Sequence, residues 1–119
     1  AQRAQGLRYL RAVEAEGEHG RRARNNLAWE LCASPHEDVY RPAAGLELMR
    51  AEDARFPLSH FYRDTLAACL AGTGDFAGAV REQQAVVDEA VAKKLPGVAT
   101  FTQRLAQYRA RKAWRDTAE

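Results

Sequence analysis

The chain has 119 residues, of which 46% are hydrophobic and 29% charged, and its formal net charge is +2. This length predicts a single domain with a modest core, and the chain has no run of about 18 apolar residues that could span a membrane. The small net charge, with an acidic middle between basic ends, argues against nucleic acid as the partner.

The first half of the chain is predicted to form three helices, because apolar residues recur there with helical spacing. The first two helices span residues 2–16 and 21–33, and the segment from Gly17 to Gly20 is predicted to separate them. A loop at 34–41 follows. The third helix spans residues 42–55, with Pro42 suited to its first turn.

The second half is predicted to form three more helices. The fourth follows Ser59 and ends at Gly72, and the fifth runs from residue 76 to about residue 94 with Asp75 as its N-cap. Leu95-Pro96-Gly97 ends the fifth helix, and the sixth spans residues 99–112. No segment of strand length alternates apolar and polar residues, so the predicted fold class is all-α.

An internal repeat links these helices. Leu66-Ala67, Leu70, the turn Gly74-Asp75-Phe76 and Ala79 have an earlier counterpart in Leu27-Ala28, Leu31 and Ala44, and Leu27, Leu66 and Leu105 are spaced by 39 residues. This pattern resembles the tetratricopeptide repeat (TPR). The segments Asn25-Asn-Leu-Ala-Trp29, Asp64-Thr-Leu-Ala-Ala68 and Tyr108-Arg-Ala-Arg-Lys-Ala-Trp114 look similar to a bacterial variety of that repeat.

The resemblance implies a right-handed α-α superhelix of about six helices. Its parts would be a half repeat at 2–16, repeats at 21–56 and 60–94, and a capping helix at 98–112. Such an array buries the narrow apolar side of each helix pair against its neighbours, and it leaves a concave groove lined by the first helix of each pair. The implied function is a non-catalytic scaffold that binds a peptide segment or a neighbouring domain in this groove.

The groove residues implied by the resemblance are the first-helix positions that do not carry packing residues. They are Arg22, Asn25, Trp29, Phe61, Asp64, Ala68, Gln103 and Gln107. Asp64 is expected on the exposed side of its helix. For Trp29 two predictions stay open: it is partly exposed as a peptide anchor, or it packs near Tyr9 and Leu10.

Sequence motifs of catalysis and metal binding are missing. The chain has no Gly-rich phosphate loop, no Gly-x-Ser-x-Gly, no His-Glu-x-x-His and no Cys-x-x-Cys, so no enzyme activity, cofactor or metal is expected. Cys32 and His36 have a four-residue spacing, but Pro35 interrupts the helix that would align them. Cys32 and Cys69 are each predicted to be buried reduced thiols, with a disulfide or a metal site as the alternative.

Two other functions compete with the scaffold. The first is self-association that dimerises a larger parent protein through Phe101, Tyr108 and Trp114. The second is binding of nucleic acid through Arg21-Arg22-Ala-Arg24 and Arg109-Ala-Arg111-Lys112. The chain begins Ala-Gln-Arg without an initiator Met or a signal peptide, which predicts a piece of a longer protein in the cytoplasm.

Overall fold

The computed structural model describes residues 17–55 and 57–118, and five helices account for most of them. They are α1 (Gly17–Ala33), α2 (Pro42–Arg55), α3 (His60–Gly72), α4 (Phe76–Ala92) and α5 (Val98–Arg109). These described ranges contain no strand, so the all-α prediction is confirmed. The predicted helix at 2–16 lies outside them.

Local chemistry places most of the helix boundaries. α2 begins at Pro42, and the side chain of Asp75 accepts the backbone N–H of Gly78, which caps α4 as predicted. Gly97 precedes α5 with φ of 93°, a left-handed conformation that a glycine adopts without strain. α4 and α5 end at Ala92 and Arg109, a few residues before their predicted ends.

The predicted break from Gly17 to Gly20 is wrong, because α1 begins at Gly17 and runs through this segment. Gly20 is buried, and the carboxylate of Glu18 accepts a hydrogen bond from the hydroxyl of Tyr62 on α3 at 3.1 Å. The low helix propensity of glycine therefore does not interrupt the helix at this segment.

The helices pack around α3. α1 contacts both α2 and α3, α3 also contacts α2 and α4, and α5 contacts α4. Every residue of α3 from 64 to 71 is buried, which is possible because alanines at 67, 68 and 71 let the neighbouring helices come close. The largest side chains of the main core cluster are Leu27, Leu31, Leu48, Met49, Leu58, Leu66, Leu70 and Tyr108. Within the described chain, no helix is both long and apolar enough to cross a membrane.

A disulfide between Cys32 and Cys69 joins α1 to α3, so the prediction of two reduced thiols is wrong. Both residues are fully buried, and their Cα atoms are 4.9 Å apart, within the range that a disulfide spans. Gly45 of α2 lies against the disulfide, where a Cβ atom would be only 2.3 Å from the Cys32 Sγ. Each cysteine sits on the apolar side of its own helix, and only the packing of the two helices brings them together.

Candidate functional site

A cavity of about 900 Å³ opens between α1, the N-terminal half of α3 and α5. Five of the eight groove residues implied by the sequence line it: Arg22, Asn25, Trp29, Phe61 and Asp64. They come from two helices that are separated in the chain by the whole of α2. The contact between α1 and α3 is therefore what brings them to one surface.

The other three residues, Ala68, Gln103 and Gln107, do not line this cavity. Ala68 is fully buried in the core because α3 is covered on all sides at that depth. Gln103 is exposed and Gln107 is half-buried. On α5, it is Phe101 and Arg104 that reach the cavity.

Asp64 lies at the inner wall of the cavity and is 6% exposed, so its expected exposure is wrong. The Arg104 Nη1 is 2.6 Å from the Asp64 Oδ2, and the Gln83 Nε2 donates to the Asp64 Oδ1 at 2.9 Å. Burial raises the pKa of Asp64 above its ordinary value, and Arg104 and Gln83 oppose that rise. A buried carboxylate thus links α3, α4 and α5 through two partners.

Trp29 is half-buried and contacts the segment that follows α5. Its indole N–H donates to the Asp116 Oδ2 at 2.8 Å, and the guanidinium carbon of Arg104 lies 4.5 Å from the centre of its ring system. Tyr9 and Leu10, the packing partners expected for Trp29, lie outside the described residues. The side chain therefore forms one wall of the cavity and also holds the C-terminal segment.

The cavity is lined by an exposed aromatic ring, Phe61, and by an amide, Asn25, whose oxygen has unused hydrogen-bonding capacity. Phe61 is 58% exposed, so its ring is accessible to a partner. The Asn25 Oδ1 is buried and has no hydrogen-bond partner within the part of the chain that the structure describes. An amide side chain can both donate to and accept from a peptide backbone.

Arg104 and Tyr62 are among the cavity residues that the sequence analysis did not identify. The spacing of Arg104 from Phe101 and Tyr108 places it on the apolar side of α5, next to Leu105. A charged residue on an apolar side is rarely buried without a partner, so this position could have indicated a buried ion pair. Tyr62 lines the cavity beside Phe61, and the guanidinium carbon of Arg21 lies 5.0 Å from the centre of its ring. No feature of the sequence distinguishes Tyr62 from a core aromatic residue.

Several residues predicted for the competing functions are engaged inside the chain, whereas Arg22, Arg109, Arg111 and Lys112 are exposed. Phe101 and Tyr108 are buried, and Trp114 packs against the core. In the basic run of α1, Arg21 and Arg24 both pair with Glu52, and Arg24 is 5% exposed. Among the described residues, no group of three His, Cys, Asp or Glu side chains is arranged to hold a metal ion.

Comparison with known proteins adds no family to this description. No family model, no curated protein and no solved structure matches the chain. The geometry of the cavity and the packing of the helices are therefore the basis for a function.

Proposed function

We propose that this chain is a non-catalytic protein-interaction scaffold of the tetratricopeptide kind, and that the cavity between α1, α3 and α5 binds an extended peptide segment. The observation that carries the proposal is that one cavity is lined both by the exposed Phe61 ring and by Asn25, whose buried Oδ1 has no hydrogen-bond partner among the described residues. An apolar side chain of the peptide would pack on Phe61, and a peptide group would hydrogen-bond to Asn25.

The order of helix contacts supports a repeat array. α1 contacts α2, α3 contacts α4, and α1 also contacts α3, so the first helices of the two proposed repeats lie side by side. Side-by-side first helices are what creates a groove in a stacked array of helix pairs. The volume of about 900 Å³ is large enough for several peptide side chains.

The competing functions have less support from the described residues. Self-association through Phe101 and Tyr108 would require side chains that are now buried to leave the core. Nucleic-acid binding through the basic run of α1 would require Arg21 and Arg24 to leave Glu52. Breaking a buried ion pair is costly, because it leaves an uncompensated buried charge.

The cytoplasmic location stays a prediction, and the Cys32–Cys69 disulfide counts against it. Disulfides form and persist in oxidising compartments, and they are rare in the cytoplasm, where thiols are kept reduced. An oxidising compartment is therefore part of the proposal.

The test is selection of peptides from a random library against the full chain, followed by affinity measurements on two matched variants. Val91 on α4 is 59% exposed and lies outside the cavity, so it is a control for Phe61 at 58%. We expect Phe61→Ala to weaken the selected peptides at least about tenfold, which corresponds to about 1.4 kcal/mol. Val91→Ala should leave their affinity unchanged. Equal effects of the two variants, or no effect of Phe61→Ala and Asn25→Ala, would contradict the proposed site.

A further inference from the structure

After α5 the chain turns back and crosses to the C-terminal end of α1. The crossing segment, residues 113–116, is called the tail below. The backbone N–H of Asp116 donates to the carbonyl oxygen of Ala33 at 2.7 Å, and the Arg115 Nε donates to the carbonyl oxygen of Ser34 at 2.6 Å. The tail has no regular secondary structure, and these hydrogen bonds, together with the packing of Ala113 and Trp114 against the core, hold it in place.

Two side chains of the tail, Trp114 and Asp116, contact residues that line the cavity. The guanidinium carbon of Arg104 lies 4.5 Å from the ring centre of Trp29 and 5.0 Å from that of Trp114, so the cation is close to both indoles. The carboxylate of Asp116 accepts both indole N–H groups, at 2.8 Å from Trp29 and 3.2 Å from Trp114. Trp29 and Arg104 also line the cavity. The same two residues therefore serve the groove and the tail.

We infer that the tail is a built-in ligand of the groove, and that the partner segment displaces it by presenting the same two groups. Those groups are an aromatic ring, which stacks on Arg104, and a carboxylate two residues later, which accepts the indole N–H of Trp29. This inference rests on the proposed function, and it adds the chemical class of the segment that is bound. The groove would be partly closed by its own chain until such a segment arrives.

The contacts that hold the tail are suited to exchange. Trp114, Arg115 and Asp116 are each only partly buried. The ion pair between Arg115 and Glu37 is exposed on the Glu37 side, and exposed pairs of this kind add little stability.

A bound tail also sets the affinity that a partner can reach. The partner binds only the fraction of molecules in which the tail has left the groove, and its apparent dissociation constant rises in inverse proportion to that fraction. A substitution that weakens the contacts of the tail with Trp29 and Arg104 should therefore increase the affinity of any segment that binds to these two residues.

The experiment supplies the tail as a separate peptide. A labelled peptide with the sequence of residues 111–118 is titrated into full-length wild type and into full-length Asp116→Ala and Trp114→Ala. We expect it to bind both variants at least about tenfold more tightly than wild type, because the groove is vacated more often. Thr117→Ala is the matched control, since Thr117 is exposed and adjoins the tail, and it should bind the peptide as wild type does. A peptide that itself carries Asp116→Ala should bind about tenfold more weakly to every chain.

A second measurement uses only the wild-type chain and covers the case in which the variants do not fold. Hydrogen exchange of the Asp116 amide reports on its bond to Ala33, and the Ala79 amide, bonded to the carbonyl oxygen of Asp75 at 3.0 Å, is the internal control. Saturating unlabelled peptide should accelerate exchange at Asp116 and leave Ala79 unchanged. Equal peptide affinity for wild type and Asp116→Ala, or exchange at Asp116 that the peptide does not alter, would overturn the inference.

The outcomes separate this inference from the function on which it rests. Library peptides that depend on Phe61 but do not affect the Asp116 amide would leave the scaffold function in place and refute the role of the tail. The opposite result is a tail peptide that binds Asp116→Ala and Trp114→Ala when no library peptide binds the chain. It would confirm the contact between the tail and the groove and refute the scaffold function, because the groove would then bind only its own tail.

Discussion

Breaking the disulfide between Cys32 and Cys69 is expected to lower the free energy of unfolding by about 4 kcal/mol. The two cysteines are 37 residues apart in the sequence, and a cross-link that closes a loop of this length removes about 13 cal/mol/K of chain entropy from the unfolded state. At room temperature this entropy amounts to about 3.8 kcal/mol. Because small domains are stable by only about 5–15 kcal/mol, the disulfide would supply a large part of the total.

Urea unfolding followed by far-UV circular dichroism measures this contribution. The urea midpoint of wild type is compared with and without excess reductant. The double variant Cys32→Ala/Cys69→Ala is the control, because it has no disulfide for the reductant to break. With an m-value of about 2 kcal/mol/M, reduction should lower the midpoint for wild type by about 2 M urea. The midpoint of the double variant should not change when reductant is added.

Three results would refute this reasoning. Two free thiols per chain in a thiol assay of the unfolded, unreduced protein would mean that the disulfide does not form. A midpoint for wild type that reductant does not alter would mean that the cross-link adds no stability. A shift of equal size in the cysteine-free double variant would assign the effect to the reductant itself.

Three further predictions concern the stability of the fold. Burial raises the pKa of Asp64 above its ordinary value of 3.8, so the folded chain binds the carboxyl proton more tightly than the unfolded chain does. The free energy of unfolding should therefore fall as pH rises through the folded pKa of Asp64. Asp64→Asn should remove this pH dependence from urea midpoints measured across the acid range. Gly45→Ala would place a methyl group 2.3 Å from the Cys32 Sγ, and thermal unfolding should show a loss of about 1–3 kcal/mol. Asp75→Ala removes the acceptor for the Gly78 N–H and should cost about 1 kcal/mol in the same assay.

Each of these predictions has a contrary result. An unchanged pH profile in Asp64→Asn would mean that another group causes the pH dependence. A thermally neutral Gly45→Ala would mean that α2 can move away from the disulfide. Asp88→Ala is the control for the cap, because Asp88 is an exposed residue of the same helix that accepts a hydrogen bond only from Gln84 in the described structure. Equal losses in Asp75→Ala and Asp88→Ala would argue against a capping role.

The sequence by itself determined the fold class and most helix boundaries, because these depend on residues close together in the chain. Pro42 at the start of α2, the cap at Asp75 and the glycines that end α3 and precede α5 act within one turn of a helix. The exception was the segment from Gly17 to Gly20, which is helical despite the low helix propensity of glycine.

The candidate site depended on how the helices pack, and the sequence predicted it only in part. Helical spacing could place Arg22, Asn25 and Trp29 on one side of α1, and the structure puts that side at the cavity. Spacing could not show how deeply α3 is surrounded, so Ala68 and Asp64 are buried where exposure was expected.

Only the tertiary structure decided which distant residues meet. The pairing of Cys32 with Cys69, of Asp64 with Arg104 and of Trp29 with Asp116 joins residues 37, 40 and 87 positions apart. The relative rotation and crossing of two helices is set by the sum of many packing contacts along both, whereas sequence periodicity fixes only which side of each helix is apolar. Periodicity therefore identified the surfaces that pack, and the packing itself produced the disulfide, the buried ion pair and the contact between Trp29 and Asp116.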